Sequence, residues 1–170
     1  GFAGYKAGMT HLMVVDNRPD AMTKGEVVAI PVTIIECPPI KVASIRLYSG
    51  SSNGLKLAKE IFGKVDKHLG RKINVTKKDV VDSAAADLSS VVDVRVNVYT
   101  QPWLSAVGKS RPEIFELSVG GKSIPERFAF AQQLLGKEVA AKYVLKEGQQ
   151  VDVFGVTVGK GFQGPVNRFG

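Results

Sequence analysis

Four valines, Val92, Val94, Val96 and Val98, alternate with Asp93, Arg95, Asn97 and Tyr99, and this period of two constrains the fold most. Successive side chains of a strand point to opposite faces, so the pattern describes a half-buried strand with its valines inward. Three strand patterns precede it. Residues 9–16 carry Leu12, Met13, Val14 and Val15, an apolar run that reads as buried. After a polar turn over 17–25, Val28, Ile30, Val32 and Ile34 alternate along a second strand, where Pro31 implies an edge or a bulge. Pro38 and Pro39 end it, and a third strand over 42–48 sets Ile45 and Leu47 against Ser44 and Arg46. The connections leave no room for crossover helices, so these strands pair antiparallel.

Composition shifts at Ser49. Asn53 can cap a helix whose apolar positions Leu55, Ala58, Ile61, Phe62, Val65 and Leu69 follow helical spacing to Gly70, with Gly63 the one weak point. Thr76 to Asp79 offers the cap of a second, short helix through Ala84 to Leu88. Residues 49–91 thus read as a helical insertion in a β domain. Between residues 54 and 81 the eight cations Lys56, Lys59, Lys64, Lys67, Arg71, Lys72, Lys77 and Lys78 face Glu60, Asp66 and Asp79, a surplus of five charges within a net +7. Such lysines suit a polyanion and equally a solvated face. Residues 101–112 read as a loop carrying Trp103, Lys109 and Arg111, followed by a strand with Phe115, Leu117 and Val119. Ser123 and Glu126 form a capping-box pattern around Pro125, and Phe128, Ala131 and Leu135 line one face of a helix that Gly136 stops. Val151 and Val153 read as a final strand. The class is mainly β, antiparallel and barrel-like, with an inserted helical subdomain and one further amphipathic helix, all within a single 170-residue domain.

Cys37 is the sole cysteine, which precludes a disulfide within the chain and fits a reducing compartment; it reads as a small buried residue. No apolar run approaches a membrane span, and no signal-peptide pattern is present, so a cytoplasmic protein without membrane partners is expected. His11 and His68 are the only histidines and sit in no metal-ligand pattern; neither a metal nor a cofactor is expected. No set of Ser, His and Asp suggests a nucleophile elbow and the carboxylates are scattered, so no catalytic residue is assigned.

The last two dozen residues abandon regular patterning for glycine. Gly159, Gly161 and Gly164 spell GxGxxG, the pattern of dinucleotide loops. Such a loop needs a helix starting within the motif to meet the pyrophosphate. Pro165 and the sequence after it argue against one. What remains is a backbone able to approach phosphates, with Lys160 and Arg168 for charge and Phe162 and Phe169 as stacking faces. By composition this suits RNA as well as a loop packed on its own protein.

The longer pattern is more specific. Leu145, Asp152, Gly155, Thr157, Gly159-Lys160-Gly161, Gly164 and Arg168 resemble the signature of the family of the third protein of the large ribosomal subunit. The opening Gly4-Tyr5-Lys6-Ala7-Gly8-Met9-Thr10-His11 is similar to that family's first strand, and Pro31-Val32-Thr33, Pro38-Pro39 and Tyr99-Thr100-Gln101-Pro102-Trp103 resemble its archaeal and eukaryotic branch. The resemblance implies a translation-factor-like β-barrel seated on large-subunit ribosomal RNA near the peptidyl transferase centre, among neighbouring ribosomal proteins. It implies assembly and stabilisation, with no small-molecule substrate. Lys6, His11, Lys160, Phe162, Gln163 and Arg168 become candidate RNA contacts by position, and Lys109 and Arg111 join them from their basic loop. Against the family's length, both ends of the chain read as truncations. The alternatives are a barrel-fold enzyme holding a nucleotide cofactor in the loop at residues 159–164, and an interaction module built on the insertion.

Overall fold

The computed structural model describes residues 1–64, 66–74 and 88–170. Two antiparallel sheets carry the chain. Among the described residues, strands β1 (Tyr5–Val15) and β2 (Val27–Glu36) pair only with each other, as a long two-stranded arm. Strands β3 (Ile40–Ser51), β4 (Gly54–Phe62), β5 (Val91–Tyr99) and β6 (Ile114–Ser118) form the main sheet in the order β4-β3-β5-β6. The short β7 (Glu138–Val139) adds to β3 through Ile40 and Lys41. Helix α1 (Ile124–Leu134) buries Phe128 and Ala131, and helix α2 (Pro165–Phe169) closes the chain. Among the described residues no barrel closes and no helix is long and apolar enough to cross a membrane.

The period-two reading of β3 and β5 holds in part: Val92, expected inward, is 55% exposed beyond a register shift at Tyr48/Ser49, and Ser44, Asn97 and Tyr99 on the other face are buried too. Ile45, Leu47, Val94, Val96 and Val98 are at most 5% exposed and lie in one apolar cluster with Ile61 and Phe128. On the opposite face Ser44, Arg46, Tyr48, Arg95 and Asn97 meet Glu60 and Glu116 in a polar ladder that crosses from β4 to β6.

The helix expected over residues 55–69 does not form. Residues 54–62 are instead the strand β4, paired with β3 from Ser51↔Gly54 to Ser44↔Phe62. The apolar positions fit both periods, and the open edge of β3 offers a ladder that decides between them. Ile61 reaches 0% exposure this way, whereas Leu55 and Leu57 stay in solvent. Leu69, 1% exposed, sits on a 3-10 turn at Leu69–Arg71. The second expected helix falls largely on residues 75–87, outside the described part.

Other expectations also change. Leu12, Met13, Val14 and Val15 are exposed, because no second layer covers the β1–β2 arm. Cys37 is only half-buried. The Ser123 side chain makes no capping bond; Glu126 accepts the Lys122 amide instead, so only a shifted half of the expected box exists. Val151 and Val153 are exposed in an irregular segment that forms no strand with any described residue. Residues 165–169, expected to be non-helical, form α2, with Pro165 at a first-turn position where its missing amide costs nothing.

Three carboxylates fix loops and set the acid response. Asp16 accepts bonds from Arg18 and Thr23 in the β1–β2 connection, where Gly25 adopts φ +85°, a left-handed conformation suited to glycine. Asp66 accepts from Lys41 at 2.6 Å and from the Tyr99 phenol at 2.7 Å; Glu113 pairs with Lys109 and, at 3.5 Å, with Lys72. These partners hold all three below the usual carboxylate range. A depressed folded-state pKa gives stability that is fully present above the unfolded value near pH ~4 and lost as pH falls through the folded value. The urea midpoint should therefore drop as pH is lowered below about 4, and Asp66→Asn should flatten part of that slope. Asp66→Ala should cost about 2 kcal/mol at pH 7, since it strands the phenol of Tyr99, 1% exposed. A midpoint unchanged by Asp66→Ala would refute this account of the residue.

Candidate nucleic-acid interface

The candidate residues fall on three surfaces. Lys6 and His11 are exposed on β1. Five residues apart, they would lie on opposite faces of a regular strand. A register shift between Lys6 and Gly8 changes this: Lys6 pairs with Ile35 and His11 with Pro31, and these partners are four residues apart on β2. Cross-strand partners share a face, so the bulge brings Lys6 and His11 to one side, roughly 13 Å apart along the arm. The other face carries Tyr5, whose hydroxyl donates to Thr100 Oγ1 at 2.8 Å and ties the arm to the loop after β5.

The second surface is the closing segment. Lys160, Phe162, Gln163 and Arg168 are all exposed, Phe162 completely at 102%. Residues 150–161 are in neither helix nor strand and present Phe154, Val156 and Val158 to solvent. Arg168 lies in the last turn of α2 with its guanidinium 5.4 Å from the centre of the Phe169 ring. Gly161 adopts φ +72°, so its backbone demands glycine. Gly155, Gly159 and Gly164 have no such demand, and a Cβ built on any of them meets nothing within 4 Å. Nothing inside the described chain explains why those three positions lack side chains. Close approach of an external backbone would. The GxGxxG run does precede a helix, but α2 has five residues and no strand leads into the run, so the context of a dinucleotide loop is absent.

The third surface is the loop between β5 and β6. Arg111 is exposed and has no acidic partner among the described residues. Lys109 differs: its ammonium is paired with Glu113, which makes it a strut of the loop. Facing this loop is the segment around His68, which the helical spacing had assigned to a helix. The His68 ring stacks on Trp103 with centroids 4.0 Å apart and planes 19° from parallel, and Arg71 Nη1 donates to the Ser110 carbonyl at 3.4 Å. The segment carrying Lys67 and Arg71 is thereby held against the loop carrying Arg111. Their separation in sequence gives no signal of this; only the apolar character of Trp103 and Leu69 hints at docking.

Comparison with known proteins adds the family. The model of the family described as Ribosomal protein L3 matches residues 1–170. Among curated relatives, the "Large ribosomal subunit protein uL3" of Methanococcus vannielii is 45% identical over 173 residues, covering 99% of this chain and 52% of that protein. Proteins of the same description from Methanothermobacter thermautotrophicus and Archaeoglobus fulgidus are 46% and 45% identical, again over 52% of their own length. The chain spans about half the length of the curated relatives it matches.

Proposed function

Because the chain belongs to the ribosomal protein L3 family, we propose that it is a structural, non-catalytic constituent of the large ribosomal subunit in the cytoplasm; the relatives are described as large ribosomal subunit proteins. It binds large-subunit ribosomal RNA, and helps to assemble and stabilise the region near the peptidyl transferase centre, together with neighbouring ribosomal proteins. The observation that carries this reading is the closing segment, where Gly155, Gly159 and Gly164 leave the backbone bare for no internal reason. Lys160 and Arg168 neutralise phosphates there and release counterions, while Phe162 stacks and Gln163 offers hydrogen bonds. Lys6 and His11, on one face of the β1–β2 arm, and Arg111 supply further contacts; Lys109 acts through Glu113.

A translation-factor-like barrel is the fold proposed for the assembled protein. In it, further strands cover the apolar face of the arm formed by Leu12, Val14, Ile30 and Ile34, each between 41% and 53% exposed in the described chain. Covering such an apolar face removes an aggregation liability.

Sedimentation tests the main reading. The chain should travel with large ribosomal subunits through a sucrose gradient at physiological salt and leave them at high salt, as phosphate-directed binding requires. Protein remaining at the top of the gradient beside intact subunits would overturn it.

A further inference from the structure

We infer that Lys67, Arg71 and Arg111 form a second phosphate-binding surface for RNA, preassembled by docking of the 66–73 segment onto the loop between β5 and β6. This rests on the reading of the chain as an RNA-binding protein, and adds to it a site distant in sequence from the closing segment.

The docking is held by several independent contacts. Leu69 is 1% exposed and clusters with Ala43 and Tyr99, with Ile73, Trp103 and Ile114 packed around them. The His68–Trp103 stack, the Arg71–Ser110 bond and the ion pair of Lys72 with Glu113 tie the segment to the loop. The Asp66 bonds to Lys41 and Tyr99 anchor its start to the main sheet.

Charge gives the surface its partner. The docked segment brings Lys67, Arg71 and Lys72 to a loop that carries Lys109 and Arg111, and among the described residues of the two stretches Glu113 is the one carboxylate not taken by the main sheet, since Asp66 is matched by Lys41. Crowding like charges on a fixed backbone costs self-repulsion, which a polyanion relieves. The surplus is local. On the polar face of the main sheet Arg46 and Arg95 are matched by Glu60, Glu116 and Asp93, and Asp93 also takes Arg127 of α1. Glu113 occupies Lys72 and Lys109, leaving Lys67, Arg71 and Arg111 exposed and without acidic partners among the described residues. The two guanidinium forks match phosphate oxygens bidentately, and the lysine adds a point charge.

The test compares Lys67→Ala combined with Arg111→Ala, the closing-segment pair Lys160→Ala with Arg168→Ala, and Lys56→Ala. Lys56 lies on β4, roughly 20 Å up the strand from Phe62, and serves as the control cation. Binding to a large-subunit ribosomal RNA transcript is followed over a range of salt. Trp103, the sole tryptophan, supplies a local fluorescence signal. Removing the two phosphate-neutralising cations Lys67 and Arg111 should lower the log–log salt slope by about 1.5 and the affinity about 20-fold near 0.15 M salt. The RNA-induced change in Trp103 fluorescence should also disappear, while Lys56→Ala changes neither and the urea midpoint stays put. An unchanged slope and an unchanged fluorescence response in the Lys67, Arg111 variant, with binding still weakened by the closing-segment variant, would overturn this surface and leave the RNA reading standing. No binding by the unaltered chain would end both. Equal binding of polyglutamate with the same variant dependence would assign the surface to acidic protein and refute the RNA proposal.

Discussion

Alanine at both Lys160 and Arg168 is expected to reduce affinity for ribosomal RNA about 20-fold near 0.15 M salt and to lower the log–log salt slope by about 1.5. Each cation that neutralises a phosphate releases condensed counterions, so deleting one such cation takes about 0.7 to 0.9 from the slope. Neither residue has an acidic partner among the described residues, and both side chains are exposed. The variant should therefore keep its urea midpoint, which separates weakened binding from impaired folding. Phe162→Ala gives the complementary result: weaker binding with the slope retained, since a stacking face carries no charge. A salt slope identical to that of the unaltered chain would remove Lys160 and Arg168 from the interface. Filling Gly159 with alanine extends the argument, because its surroundings are empty within the chain. It should leave stability alone and weaken only RNA binding.

The largest effect on stability is expected at Glu60. Its Oε1 accepts from Ser44 Oγ at 2.6 Å and from Asn97 Nδ2 at 2.8 Å, and Arg46 Nε lies 3.2 Å away. The arginine contact is an ion pair more than a directed hydrogen bond, for Arg46 Nε is buried with no well-aligned acceptor. Ser44 is 0% and Asn97 4% exposed, so loss of the carboxylate strands two buried donors beside a half-buried cation. Stranded donors cost about 1 to 3 kcal/mol each, and the partial exposure of Glu60 lets water recover part of that. Glu60→Ala should lower the unfolding free energy by about 3 kcal/mol, and Glu60→Gln, which keeps an acceptor, by about 1 kcal/mol. Urea denaturation decides between them: equal losses for the two variants would show that burial of the side chain, and not its hydrogen bonding, matters.

Legibility of the fold followed the strength of each local signal. Val92 to Tyr99 had one period, so β5 and the inward set Val94, Val96 and Val98 were readable, as were the Ile45 and Leu47 face of β3 and the Phe128 face of α1; the exposure of Val92 and the burial of Asn97 and Tyr99 were not. Leu55 to Phe62 satisfied two periods at once, and the free edge of β3 chose the strand. The apolar run at Leu12 to Val15 misleads for the opposite reason: hydrophobicity signals burial only where another layer is available. Of the candidate site, the residues of the closing segment were nominated from their pattern, and the fold leaves them exposed. The pairing that makes Lys109 a strut was not, since Glu113 is shared with Lys72 from a distant segment.

Local sequence alone specified the β class, the two faces of its central strands, the family, and the identity of the glycine and basic residues at the end of the chain. Strand alternation and motif spacing are local properties and need no long-range context. It took the folded chain to establish that residues 54–62 join the sheet, that a bulge brings Lys6 and His11 to one face, and that the segment of Lys67 and Arg71 docks on the loop of Arg111. Those outcomes depend on which edge is free, where the register slips and which side chain stacks on Trp103. They belong to partners far apart in the chain, and no local pattern encodes them.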